Sequence, residues 1–123
     1  MSKTIIMTAS IFLALAVAIG AFGAHGLKSQ LSAEMLQTYK TGVEYHFYHA
    51  LGLLLIGVLA ISFPSSHLKW SAILLSVGII LFSGSLYVLA ISGIKWLGAI
   101  TPLGGLSFIA GWILLFIAVW KKM

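Results

Sequence analysis

The sequence predicts an all-α integral membrane protein: a four-helix transmembrane bundle with short loops, in a single domain that covers residues 1–123. Its composition and its hydropathy pattern both favour this fold class. Of the 123 residues, 61% are hydrophobic and only 7% are charged, whereas a soluble domain carries about 25% charged residues. Four apolar runs, separated by short polar turns, are each long enough to cross a hydrocarbon core of about 30 Å as a helix.

The cationic residues are scattered between the apolar runs. All seven are lysines, and the formal net charge is +5 at pH 7. This distribution is typical of charges that flank membrane spans, and it argues against a nucleic-acid-binding patch. The sequence contains no cysteine. Disulfide bonds, thiolate metal sites and thiol catalysis are therefore excluded.

The predicted spans cover about residues 4–24, 43–63, 70–91 and 98–120. Tryptophans stand near the ends of the later runs, at Trp70, Trp96 and Trp120, and amphipathic rings favour the headgroup layer. The first run also resembles a secretory signal peptide. It is longer than the usual apolar region of such a peptide and has small residues at helical spacing, so we expect it to be retained as a span.

The start of the second span has two interpretations. A helix from Ala50 to Phe63 would cover only about 21 Å, so the span must begin near Val43 to cross the membrane. The residues before it lack helix breakers and follow Ser32, which is suited to be an N-cap. We expect either an outward extension as an amphipathic segment along the surface, or a division of the helix into two pieces at Gly42.

The start of the fourth span also has two interpretations. Thr101 followed by Pro102 predicts an N-cap and the first residue of a helix. Alternatively, the helix begins near Trp96, and Pro102 then introduces a kink.

Polar side chains gather on the side of the bundle away from the two termini. Polar groups inside a membrane are costly, so their placement is the best functional signal in the sequence. With alternating helix directions, all four helices bring polar or small residues to this half of the membrane. The candidate binding residues are His25, Glu44, Tyr45, His46, Tyr48, His49, Ser83, Tyr87 and Thr101.

Helical geometry predicts a polar stripe on the second span. At 100° per residue, one arc of the helix holds Thr41, Glu44, Tyr45, Tyr48, His49 and Gly52, whereas His46 lies off this arc. We expect the stripe to face the bundle interior and to line a small polar cavity, open to the non-cytoplasmic side, for a proton, an ion or a small polar molecule. Glu44 would carry the charge and His49 would accept a proton. The alternative is a structural hydrogen-bond network that ties the helix ends together.

Catalytic, metal and redox functions have weaker support. His46 and His49 point about 60° apart and lack a third ligand, and nothing further supports a haem held by His25 and His49. Glu44 and the histidines form no complete catalytic constellation. We therefore assign no catalytic residue, no metal and no cofactor.

Four crossings place both termini on one side of the membrane. That side holds four lysines and the other holds Lys28, Lys40 and Lys95, so the positive-inside rule favours cytoplasmic termini. The expected partner is the lipid bilayer, and no nucleic acid is expected. A larger membrane complex or a second copy of the chain could pack against the small residues Ala14, Ala18, Gly20 and Ala21.

Four sequence motifs resemble those of a known family. They are Gly20-Ala21-Phe22-Gly23-Ala24-His25-Gly26-Leu27, Thr38-Tyr39-Lys40-Thr41-Gly42-Val43-Glu44-Tyr45-His46-Phe47-Tyr48-His49-Ala50-Leu51, Phe82-Ser83-Gly84-Ser85-Leu86-Tyr87 and Ile100-Thr101-Pro102-Leu103-Gly104-Gly105. In these motifs the chain is similar to the YgdD-like family of small membrane proteins, a domain of unknown function related to a eukaryotic four-helix transmembrane protein. The resemblance covers essentially the whole chain. It implies four spans, a retained first helix and residence in the bacterial plasma membrane, and it implies no activity for any residue.

Overall fold

The computed structural model describes residues 1–122, and nearly all of them are helical. Four helices are long and apolar enough to cross a membrane. We call them spans 1 to 4, and they cover Ser2–Leu27, Ala33–Ser62, Ser66–Ser92 and Lys95–Lys122. The predicted all-α fold with four membrane helices is confirmed.

Only span 2 is a single α-helix over its whole length. Span 1 is α-helical over Ser2–Phe22 and ends in a π-helical turn, Gly23–Leu27. Span 3 consists of the α-helices Ser66–Gly78 and Gly84–Ser92, joined by the π-helical segment Ile79–Ser83. Span 4 begins with the 3₁₀ segment Lys95–Ala99 and continues as the α-helix Thr101–Lys122. π-Helical turns inside α-helices are rare and often lie at functional sites.

Span 2 extends outward beyond the hydrophobic run. The hydroxyl of Ser32 caps it by accepting a hydrogen bond from the backbone N–H of Met35 at 3.1 Å. The helix then continues through Gly42 without a break. The N-cap and the outward extension are therefore confirmed, a division of the helix at Gly42 is wrong, and a position of the extension along the membrane surface stays a prediction.

The connections on either side of span 3 follow local chemistry. Ser65 caps the start of the span by accepting a hydrogen bond from the N–H of His67 at 3.1 Å. Gly93 ends it with φ +73°, a left-handed conformation that glycine adopts without steric cost. The helix therefore ends at Ser92, one residue beyond the predicted run.

Thr101 is not the N-cap that the sequence predicted. It is the first residue of the α-helix of span 4, and its Oγ1 lies 2.6 Å from Oγ of Ser85 in span 3. Its hydroxyl thus joins two spans. The 3₁₀ segment from Lys95 onward accounts for the earlier helical start, which was the alternative expectation.

The four spans form two pairs. Span 1 packs along span 2, span 3 packs along span 4, and spans 2 and 3 join the two pairs. Span 1 has no extensive contact with span 3 or span 4. It is therefore the most peripheral helix, and a gap opens between spans 1 and 3.

The main apolar core joins the four spans, largely in the half nearer the termini. Its buried residues are Ile5, Ala9, Ala50, Leu53, Ile56, Ala60, Phe63, Leu68, Ala72, Leu75, Ile79, Phe108 and Ala118. Two hydroxyls interrupt this apolar packing between spans 3 and 4. Ser71 and Ser107 donate hydrogen bonds of 2.6 Å to the carbonyls of Gly111 and Leu74. Both satisfy backbone acceptors that already belong to helices, so they act as links between helices.

Spans 3 and 4 approach closely at Gly104. A Cβ placed there would lie 2.7 Å from Cβ and 2.8 Å from Cα of Phe82, and it would also collide with the backbone nitrogen of that residue. Phe82 belongs to the π-helical segment of span 3. The absence of a side chain at Gly104 is therefore what allows the backbone of span 4 to rest on this segment.

Candidate functional site

The buried face of span 2 positions the candidate site. Its buried residues recur at intervals of three or four, which is the spacing of one helical face. From the far end toward the termini they are Tyr39, Gly42, His46, His49, Ala50, Gly52, Leu53, Ile56, Gly57 and Ala60. The two histidines therefore continue the apolar core face, and the same packing that buries Leu53 and Ile56 also buries them.

His46 lies at the meeting point of spans 1, 2 and 3. Its side chain is only 3% exposed, and its Nδ1 lies 2.8 Å from the hydroxyl oxygen of Tyr87 in span 3. The ring of Phe12, in span 1, meets the imidazole edge-on with centroids 6.0 Å apart. Both contacts fix the orientation of the imidazole.

The second ring nitrogen of His46 is buried and lacks a regular hydrogen bond. Among the residues that the structure describes, Nε2 of His46 is the buried side-chain polar atom without a partner. The backbone carbonyl of Phe12 also lies near the imidazole. Buried polar groups are normally paired, so a free nitrogen at this position marks a site that can accept a proton or a donor.

His49 is held by aromatic packing. Its ring stacks on Phe108 of span 4 with centroids 3.5 Å apart and an interplanar angle of 8°. Its Nδ1 lies 2.8 Å from the carbonyl oxygen of Tyr45, one turn earlier in the same helix. Because a carbonyl only accepts, Nδ1 carries the proton in this contact. His49 thus connects span 2 to span 4, and this contact was not predicted.

Further hydrogen bonds join the spans around His46. The hydroxyl of Ser83 donates to the carbonyl of Gly42 at 2.7 Å, and Ser85 pairs with Thr101 at 2.6 Å. Tyr39 donates its hydroxyl to the carbonyl of Ile19 in span 1. Together these bonds connect each neighbouring pair of spans in the half away from the termini.

The predicted inward orientation of the polar stripe is wrong for three of its six members, whereas His49 and Gly52 are buried as predicted. Glu44, Tyr45 and Tyr48 are exposed on the outside of the bundle, Tyr45 to 37% and Tyr48 to 57%. His46, which was placed off the arc, is buried instead. Tyrosine side chains are stable at a membrane interface, so the polarity of Tyr45 and Tyr48 does not force them inward.

The remaining candidates divide between the interior and the surface. Ser83 is fully buried and Tyr87 is half-buried, and both take part in the bonds around span 2. His25 is exposed in the π-helical turn of span 1. Glu44 lines a shallow groove of about 190 Å³ between spans 1 and 2, beside Lys40 and Gly20. The structure therefore brings together His46, Ser83 and Tyr87, and it leaves His25, Glu44 and Tyr48 apart from them.

Several residues at the site were missed by the sequence reasoning. Tyr39 is 2% exposed and its ring lies 5.3 Å from that of Tyr87. Phe12 and Phe108 supply the aromatic surfaces against His46 and His49. A signal for Tyr39 was present, because it lies seven residues before His46 and hence two turns along the same face. No comparable signal marks the phenylalanines, which come from other helices.

Metal ligation is not supported by the geometry of the described residues. Over residues 1–122, no three of the histidine and glutamate side chains come together as a metal site would require. His46 and His49 meet different neighbours, Tyr87 and Phe108.

Comparison with known proteins assigns the chain to a family. The family model described as protein of unknown function, DUF423, matches residues 19–105. The chain belongs to the DUF423 family. All nine candidate residues, from His25 to Thr101, lie within the matched region. The expectation of a membrane family of unknown function is thus confirmed, while the YgdD-like name remains an expectation.

The DUF423 chain is also similar to curated bacterial membrane proteins over nearly its whole length. It is 47% identical over 122 residues to the UPF0382 membrane protein YwdK of Bacillus subtilis, which covers 98% of this chain and 99% of the relative. It is 45% identical over 119 residues to a UPF0382 membrane protein of Staphylococcus haemolyticus, with 97% of each chain covered. No solved structure matches the chain. The chain is therefore an integral membrane protein of this family.

Proposed function

We propose that this DUF423 protein is a small binding module of the bacterial plasma membrane, with cytoplasmic termini, and that it takes up a proton at His46. The supporting observation is the buried imidazole of His46, with Nδ1 2.8 Å from the Tyr87 hydroxyl oxygen and Nε2 unpaired. When Nδ1–H donates to Tyr87, the lone pair of Nε2 is free to accept a proton. Histidine is the side chain that changes charge near neutral pH.

Burial favours a proton over a larger solute. His46 is 3% exposed, and its Nε2 is buried without a hydrogen-bond partner. The half of the bundle nearer the termini is filled by the main apolar core. These features support binding within one half of the membrane rather than permeation across it.

Proton uptake would change the contacts that hold three spans together. A doubly protonated imidazole donates from both nitrogens, so the Tyr87 hydroxyl of span 3 would remain an acceptor and the nearby Phe12 carbonyl of span 1 would become one. The contacts of the described residues place two further titratable side chains here, Tyr87 and its neighbour Tyr39. A charge held among apolar helices without a carboxylate is costly, so protonation is expected to loosen the packing of spans 1 and 3 on span 2.

Nitrogen-15 NMR of histidine-labelled protein in lipid nanodiscs tests this proposal. The protein has four histidines, and His46→Gln identifies the signal of His46. We expect that signal to titrate as the pH is lowered, and we expect the same acidification to lower the thermal midpoint of the wild type. The midpoint of His46→Gln should fall less.

The matched control is His67→Gln, because His67 lies in the first turn of span 3 at the opposite end of the bundle. This variant should keep the acid sensitivity of the wild type. A His46 signal that does not titrate, or an unchanged acid response in His46→Gln, would show that the buried histidine is structural only.

A structural or assembly role is the second candidate, and the outer face of span 1 favours it. Ala14, Ala18 and Ala21 are exposed there at helical spacing, and small residues permit close helix contact in membranes. For this role, we expect a larger complex after solubilisation in mild detergent, and Ala18→Phe should dissociate it. Leu15→Phe, at an exposed position nearby, is the control. A monomer in both the wild type and Ala18→Phe would count against assembly.

A further inference from the structure

A lateral groove opens between spans 1 and 3, on the side of the bundle where these spans do not pack together. It has a volume of about 550 Å³. Its walls are formed by one face at the start of span 1 and one face of span 3, and Leu53 of span 2 forms part of its floor. The lining is almost entirely apolar, and the hydroxyls of Thr8 and Ser76 donate to the carbonyls of Thr4 and Ala72 in their own helices.

The length of the groove matches one leaflet of a bilayer. On span 3 it extends from Lys69 to Ile80, a helical rise of about 16 Å. Half of the hydrocarbon core is about 15 Å. The groove is therefore long enough for the acyl chain of one leaflet and ends near the middle of the membrane.

A cation stands at the mouth of this groove. Lys69, exposed in the first turn of span 3, lines the end nearer the termini. Its ammonium group can reach the headgroup layer, where it is attracted to phosphate. The apolar wall matches the acyl chain of an anionic phospholipid, and the cation at its end matches the headgroup phosphate.

We propose that this groove binds one anionic phospholipid, with an acyl chain between spans 1 and 3 and its headgroup phosphate at Lys69. The lipid fills the gap left because span 1 packs only on span 2. A helix from a second copy would need a groove running along the whole span, whereas this one ends after half the membrane. The observations thus favour lipid over a second copy, and the site is independent of His46.

The test compares two lipids that differ only in headgroup. Dioleoyl phosphatidylglycerol and dioleoyl phosphatidylcholine are added to the full-length protein in mild detergent, and bound lipid is measured by native mass spectrometry. We expect the wild type to bind phosphatidylglycerol more tightly. Lys69→Gln should weaken that binding about fivefold, because one basic residue near the surface contributes on the order of a fivefold preference for anionic lipid.

Two further variants separate the acyl contact from the charge. Val77 lines the groove and is partly exposed, so Val77→Trp should block it and reduce binding of both lipids. Val88→Trp changes the same residue type at a position that is exposed in the same span and lies outside the groove. Lys95→Gln removes a cation from the opposite side. Both controls should bind like the wild type.

Three results would overturn the proposal. The first is equal binding of the two lipids by the wild type. The second is wild-type binding by Val77→Trp. The third is a dimer whose cross-links pass through Val77 and Thr4, since a second copy would then occupy the groove.

Discussion

Gly104→Ala is expected to lower the free energy of unfolding by about 3 kcal/mol, the upper part of the usual range for an overpacked site. The new methyl group would lie within 2.8 Å of both Cα and Cβ of Phe82, and it would collide with the backbone nitrogen there. A flexible side chain could turn away, but the backbone of a helix cannot. Spans 3 and 4 would have to separate, which would also strain the Ser85–Thr101 and His49–Phe108 contacts. Unfolding in sodium dodecyl sulfate, followed by circular dichroism, measures the loss.

The neighbouring glycine gives a matched control for this prediction. A Cβ at Gly105 would have its first contact with the Phe82 ring at 4.0 Å, which is an ordinary van der Waals distance. Gly105→Ala makes the same chemical change in the same turn of span 4, so its stability should equal or slightly exceed that of the wild type. Equal losses in the two variants would mean that spans 3 and 4 do not meet at Gly104.

Tyr87→Phe is expected to destabilise the bundle by about 1–3 kcal/mol, because it removes the hydroxyl that pairs with Nδ1 of His46 and leaves the buried imidazole unpaired. His46→Leu removes the other partner and should also be destabilising. The double variant should cost less than the sum of the two, since both polar groups are then gone. An interaction energy of about 1 kcal/mol is expected, as measured for hydrogen bonds between membrane helices.

Tyr48→Phe serves as the comparison for this cycle. Tyr48 lies in the same helix as His46 but is 57% exposed on the outer face, so loss of its hydroxyl should change stability by less than about 0.5 kcal/mol. Strictly additive effects of Tyr87→Phe and His46→Leu would contradict a direct bond between the two side chains.

The fold followed from the sequence because membrane helices are specified by length and hydropathy. Each span must satisfy its own backbone inside the bilayer, so an apolar run of sufficient length can be interpreted without knowledge of its neighbours. Local chemistry also predicted some helix ends correctly. Ser32 shows this, since a hydroxyl N-cap acts within its own turn.

The orientation of span 2 could not be predicted by the rule that was applied. Polar residues were assigned to the interior, as if the outside of the bundle were uniformly apolar. Tyr45 and Tyr48 can face outward at little cost because the membrane interface accepts amphipathic rings. Extending the three-and-four spacing backward from Leu53 and Ile56 would have selected His46 and Tyr39 instead.

The contacts between spans depended on information that no single helix carries. His49 was expected to accept a proton in a cavity, but in the structure it stacks on Phe108. Which residue of span 4 meets span 2 depends on the crossing of the helices, and that crossing is set by glycines such as Gly104. Such pairings cannot be predicted from the periodicity of one segment.

The unbroken length of span 2 makes the protein sensitive to bilayer thickness. Its 30 residues form a rod of about 45 Å, half as long again as a hydrocarbon core of about 30 Å. A thinner membrane must tilt this rod or leave more of it in water, and a thicker one must draw its polar end inward. Span 1 is fastened to that end by the bond from Tyr39 to the Ile19 carbonyl. Both helices would therefore lean together, and the gap beside span 3 would change its width with the thickness of the surrounding lipid.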